Sequence, residues 1–148
     1  MVGCELGYIQ LEKLREHEQV DTERLSELIK QILADGVLKR PILADRATLT
    51  ILDGHHRLRA LRKLGVKVVP AMLVDYSDPR IVVRRWAGEG YISKELALEA
   101  AMSGKLLPPK TTKHMVSVDG ELKHVEKLQR PVNTPLSRLR RGSVEDPL

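Results

Sequence analysis

The chain has 148 residues, with 30% charged residues and a net charge of +5. That suits one domain with a modest core and an anionic partner. No apolar run reaches the roughly 20 residues that cross a bilayer, and no secretory leader is recognisable, which argues against a membrane partner. Aromatic residues make up 3% and Phe is missing, so Leu, Ile and Val must build the core.

Tyr8 to Leu14 alternates apolar and polar residues and predicts a short strand running into a turn. Asp21 or Thr22 can cap a helix from about Glu23 to Ala34, in which Leu25, Leu28, Ile29, Ile32 and Leu33 recur at helical spacing. Gly36 ends it as a left-handed cap. Pro41 to Asp45 and Leu49 to Leu52 predict two strands around a turn at Arg46 to Thr48. Asp53-Gly54 opens a helix from His55 to Leu64, closed by Gly65, and Val66 to Val74 predicts a buried strand.

Arg80 to Trp86 predicts another strand, and Ser93 caps a helix to about Met102 closed by Gly104. Pro108-Pro109 imposes an extended segment before a last short strand in Thr111 to Val118. From about Lys127 the chain is basic and Pro-rich, with Arg138, Arg140 and Arg141 clustered, and is expected to form a poorly ordered tail after a domain of residues 1–126. The alternation is α/β (α+β), a mixed sheet with flanking helices in one small domain. Cys4, the one cysteine, has neither a disulfide partner nor companions for zinc, so a reducing cytoplasm is the expected compartment.

The segment Asp53-Gly54-His55-His56-Arg57 stands where a strand hands over to a helix. The first N–H groups of a helix have no internal partner, and the helix dipole places partial positive charge there. Glycine lets a ligand approach the backbone, while two imidazoles and a guanidinium add donors. Together they read as a phosphate cradle, with Asp53 a candidate magnesium ligand. Asp53 as a helix cap alone would explain Asp-Gly; two histidines followed by an arginine exceed what a cap requires. The spacing of a Walker A loop is absent, as is the protein-kinase signature set.

Two further groups carry chemistry. Glu16-His17-Glu18-Gln19 offers a carboxylate able to act as a general base on a hydroxyl, though on composition alone it is a solvated acidic loop. Pro108-Pro109-Lys110-Thr111-Thr112-Lys113-His114 holds two cations, two hydroxyls and an imidazole on a stiff leader. It suits a carboxylate or phosphate, and reads equally as a basic surface loop. Trp86, the one tryptophan, belongs either to the core or to a pocket wall.

With these groups assembled, the stretch from Tyr8 to Val116 resembles the ParB N-terminal/sulfiredoxin-like superfamily and, within it, the free serine kinases of archaea. The His17-Glu18-Gln19 loop, the Asp53 to Arg57 block, the Leu58-Arg59-Ala60-Leu61 helix with its Gly65 turn and the Pro-Lys-Thr-Thr-Lys-His block carry the resemblance in that order.

The resemblance implies transfer of a phosphoryl group from an adenine nucleotide, ATP or ADP, to L-serine with Mg2+. The product would be O-phospho-L-serine, a step toward cysteine biosynthesis. It implies Glu18 as the base on the serine hydroxyl and Asp53 as a second residue needed for activity. Gly54, His55, His56 and Arg57 would form the phosphate-handling turn. Trp86 would lie near the substrate, with Lys110, Thr111, Thr112 and His114 holding serine and the phosphate in transfer. The sequence departs from the family in the short connection from Ala87 to Leu107, where longer members carry many tens of residues more. It departs again at Lys113, where arginine is common.

Three other readings stay open. A ParB-like nucleotide- or DNA-binding regulator fits the basic charge, but no helix-turn-helix pattern follows the domain. Sulfiredoxin chemistry needs a thiol in the turn, where His55 stands. A nucleotide sensor would keep the turn without needing Glu18.

Overall fold

The computed structural model describes residues 2–86 and 92–142. Its centre is β5 (Val68–Val74), which pairs antiparallel with β1 (Cys4–Gln10) along seven residues and parallel with β3 (Ile42–Asp45). Antiparallel β4 (Ile51–Asp53) completes the order β1-β5-β3-β4. Side chains alternate across a strand, so one sheet serves two cores. Ile42 and Ala44 enter one apolar cluster and Leu43 the other; Ile51 and Leu52 divide the same way.

The first face is covered by α1 (Thr22–Asp35) and α2 (His55–Lys63) through Leu25, Ile32, Leu58 and Leu61. Asp21 caps α1, its Oδ1 accepting the N–H groups of Glu23 at 2.9 Å and Arg24 at 3.3 Å. Gly36 closes α1 at φ 69°, a left-handed value that costs glycine little. The second face is covered by an antiparallel sheet, β6 (Ile81–Arg84), β7 (Lys113–Val118) and β8 (Glu121–His124), which contributes Ile81 and Val116. α3 (Lys94–Ser103) is capped by Ser93 and closed by Gly104, as its sequence predicts. Among the described residues no helix is long and apolar enough to cross a membrane.

Besides the additional strand β8, which follows the strand expected to be the last, two segments differ from expectation. The first strand lies earlier, and Leu11–Lys13 forms a 3-10 turn that buries both Leu11 and Leu14. A spacing of three is one turn of such a helix, and it masquerades as the end of a strand pattern.

The second difference is in the basic segment from residue 127, expected to be poorly ordered. Thr134–Pro135 (β9) pairs with Val37–Leu38 (β2), and Leu136–Arg141 (α4) packs on the first face. Leu136 and Leu139 share one face of that short helix and are buried in the first cluster, Leu139 at 0% exposure. Their arginine-rich neighbours mask that apolar pair in the composition. Residues 143–148 of the expected tail lie outside the described residues. Leu139→Ala is expected to lower stability by about 2–5 kcal/mol in a urea titration, as a fully buried leucine should. A segment loosely attached would leave the midpoint unmoved.

Candidate active site

The end of β4 hands the chain to α2 through Gly54, whose φ of 111° is closed to ordinary side chains. A Cβ there would lie 3.1 Å from both Arg57 Nη1 and Ile42 Cγ1. Gly54→Ala is therefore expected to strain the corner by roughly 1–3 kcal/mol and displace Arg57, read as a fall in melting temperature with a shift of the Arg57 side-chain resonances. No side chain caps α2, unlike α1 and α3, so its first N–H groups remain open.

Around this corner lies a cleft of about 540 Å³. Its walls include Glu18, Asp53, Gly54, His55, His56, Arg57, Trp86, Lys110, Thr112 and His114, ten of the eleven residues expected from the sequence. Thr111 stands apart: its Oγ1 donates to the Pro108 carbonyl at 2.6 Å, and it does not line the cleft. Arg24, Lys113, His124 and Glu126 also face the cleft.

Glu18 is 8% exposed and holds the late loop. Its Oε2 accepts the Lys110 N–H at 3.0 Å. Its Oε1 accepts the N–H groups of Thr111 at 3.1 Å and Thr112 at 2.8 Å, and the Thr112 hydroxyl at 2.9 Å. Successive amides converging on one anion form a concave nest, and Lys110 takes the left-handed φ of 58° that such a bend needs. Backbone bonds Gln19 N–H to Leu107 O and Leu107 N–H to His17 O, both 2.8 Å, stitch the two stretches together. Burial pushes the Glu18 carboxyl above the usual carboxylate range, against the opposing pull of these four donors.

The corner's own side chains are anchored to the scaffold. His56 Nε2 accepts the Asp21 N–H at 2.9 Å, and Arg57 Nη1 donates to the Pro41 carbonyl at 2.5 Å. Burial lowers the pKa of both groups. The open amides of α2, the unspent donors of Arg57 and the other ring nitrogen of His56 remain for a ligand. Asp53 Oδ2 accepts from Gln129 Nε2 at 2.7 Å, a partner 76 positions away that no sequence pattern marks. Trp86 is 47% exposed; its Nε1 donates to Thr112 O at 2.9 Å, and Lys113 Nζ sits 4.8 Å from its ring centre. Trp86 is thus a cleft wall.

Behind the cleft lies a buried imidazole cluster. The ring centres of His17 and His55 are 4.5 Å apart, and those of His17 and His114 are 5.7 Å apart. His55 Nε2 accepts the His17 N–H at 3.2 Å, and the Tyr76 hydroxyl meets His114 Nε2 at 2.7 Å. Burial drives His17 down to about 4, against a smaller pull from the Ile51 backbone, and His114 to about 3. Burial also holds His55 well below the ordinary histidine value. The three rings are neutral at physiological pH. His17 and Tyr76 were not singled out for a role because the signal is purely spatial.

The sequence model of the ParB N-terminal domain matches residues 3–86. A protein of Staphylothermus marinus described as an ATP-dependent L-serine kinase is 35% identical over 82 residues, 53% of this chain and 32% of that protein. A ParB-like protein of Sulfolobus acidocaldarius is 35% identical over 86 residues, 58% of this chain and 43% of that one. The chain thus spans less than half the length of these relatives. A solved free serine kinase in complex with AMP superposes with a TM-score of 0.75 over 90% of this chain and 93% of its own, at 17% identity, a likeness of fold.

Proposed function

Since the chain belongs to the ParB N-terminal domain family, we propose that it is a free L-serine kinase. It would move a phosphoryl group from ATP or ADP to the serine hydroxyl and release O-phospho-L-serine. The observation that carries this reading is one cleft bounded by three groups: a buried carboxyl, an uncapped helix start and a cationic threonine loop. Phosphoryl transfer asks for positioning and charge neutralisation more than covalent chemistry, and those groups supply both.

In this reading the first amides of α2, with Arg57 and His56, hold the donor's phosphates. Glu18 orients the serine hydroxyl and takes its proton. Oε2, with one donor against three on Oε1, is the oxygen with room to do so. A carboxyl raised by burial is a better base near neutral pH. Lys110 and Thr112 face the acceptor's carboxylate and the group in transfer. Trp86, with Lys113 over its ring, walls the cleft and excludes water. Asp53 fits magnesium: it is a hard oxygen donor beside a phosphate cradle, and Mg2+ needs only one or two protein carboxylates when phosphates supply the rest. When bound, the ion would neutralise phosphate charge. The compartment that suits the free Cys4 thiol is a reducing cytoplasm.

The test is direct. Purified protein, magnesium and L-serine are incubated with ATP or ADP, and the products are followed by phosphorus NMR. A phosphoserine resonance growing with one donor is expected; threonine and homoserine in parallel define acceptor selectivity. No phosphoserine with either donor removes the reading.

The second reading, a DNA-binding regulator, is favoured by the net charge of +5 and the ParB-like relative. It requires duplex binding that weakens steeply as salt rises.

A further inference from the structure

The chain of hydrogen bonds behind Glu18 has a direction, and donor counting fixes it. An ionised carboxyl only accepts, so the single Thr112 hydroxyl proton points at Glu18 Oε1, 2.9 Å away. With that proton committed, Thr112 Oγ1 can only accept from the ring nitrogen on its other side, His17 Nε2 at 2.9 Å. His17 must then carry its proton on Nε2. Its Nδ1 is then a bare acceptor on the side of the Ile51 backbone, buried and without a partner of hydrogen-bonding geometry among the described residues. The other tautomer would turn an N–H toward the Ile51 backbone, but it would leave His17 Nε2 and the Thr112 oxygen facing each other with no proton between them.

We propose that His17 is a positioning residue: its Nε2–H, acting through the Thr112 hydroxyl, sets the polarity of this chain and keeps Glu18 as the accepting anion. Without that donor the Thr112 oxygen is free to receive a proton from Glu18, and the neutral acid gains a partner it now lacks. The ring cannot turn to lose the contact, since its backbone N–H is held by His55 and its edges meet His55 and His114. The titratable groups around the pair are His55 on α2, His114 on β7, Tyr76 beside it and Lys110 on the loop; the rings are held neutral by burial and contribute no competing charge. The assignment rests on the kinase reading only where Glu18 is called the base; the polarity itself does not.

Nitrogen NMR of the wild-type imidazoles, assigned through bonds, tests the polarity without activity. The expected spectrum at neutral pH shows His17 protonated on Nε2 alone; a proton on Nδ1, alone or as the imidazolium, overturns the proposal. A second measurement uses His17→Phe, which keeps a ring in the slot and removes both nitrogens. The carbon-detected titration of Glu18 is expected to rise by about one pH unit, and the acid limb of turnover to move with it. A midpoint unchanged in folded protein overturns the proposal. If that variant does not fold, the wild-type tautomer decides. If neither protein makes phosphoserine, the kinase reading falls while the NMR results still judge the role of His17.

Discussion

Replacing Glu18 with glutamine is expected to slow phosphoserine formation by roughly 10²- to 10⁴-fold, the range for loss of a positioned general base. The side chain keeps its size, so the fold should survive. The loop should not stay as it is. All four groups facing Glu18 are donors, one on Oε2 and three on Oε1. A carboxamide must turn its NH2 toward one set, and the cheaper choice abandons the Lys110 N–H. That loss should cost about 1–3 kcal/mol locally. It should appear as faster amide exchange confined to Lys110–Thr112, with the exchange of β5 unchanged. Near-normal turnover by this variant would remove Glu18 from the chemistry.

Acid should unfold this protein more steeply than its carboxylates alone would. His17 falls from 6.5 to about 4 and His114 from 6.5 to about 3 in the folded state, both chiefly through burial. His55 falls in the same direction. For a base with a depressed folded pKa, the unfolded chain binds the extra proton. The stabilisation is therefore complete above about pH 6.5 and drains away as pH falls toward 4 and then 3. For His17 alone the drop from 6.5 to about 4 is worth roughly 3 kcal/mol at full effect, large beside a typical net stability of roughly 5–15 kcal/mol. Glu18, raised by burial, works the other way and gains stability as it protonates, but it is one group against three. Urea midpoints at successive pH values should fall from pH 6.5 downward. A flat profile to pH 4 would mean the rings are charged or solvated in the native state.

Much of this was legible in the sequence, for physical reasons that can be named. α1 was readable because an Asp cap, helical spacing of apolar residues and a left-handed glycine agree along one stretch. The corner at Asp53 was readable because Gly54 and two adjacent histidines have no ordinary use at a helix start. The β8 hairpin was missed, although Asp119 and Gly120, at φ 51° and 82°, carry the Asp-Gly turn signal. Gln129 on Asp53 and Tyr76 on His114 were not readable. Each joins residues dozens of positions apart with no shared period. Thr111 shows the limit of the resemblance: it sits inside the matching block, yet its hydroxyl closes a local turn.

The stitching of residues 17–19 to 107–112 bears on how this scaffold can be altered. Glu18 and Thr112 lie 94 positions apart, and the four donors that satisfy the Glu18 carboxyl all come from Lys110 to Thr112. An engineer transplanting the late loop from a relative would leave a naked acid beneath it unless the early stretch travelled too. Swaps in this architecture therefore have to be made as matched pairs, and the two stretches should be treated as one exchangeable cassette split by the sheet.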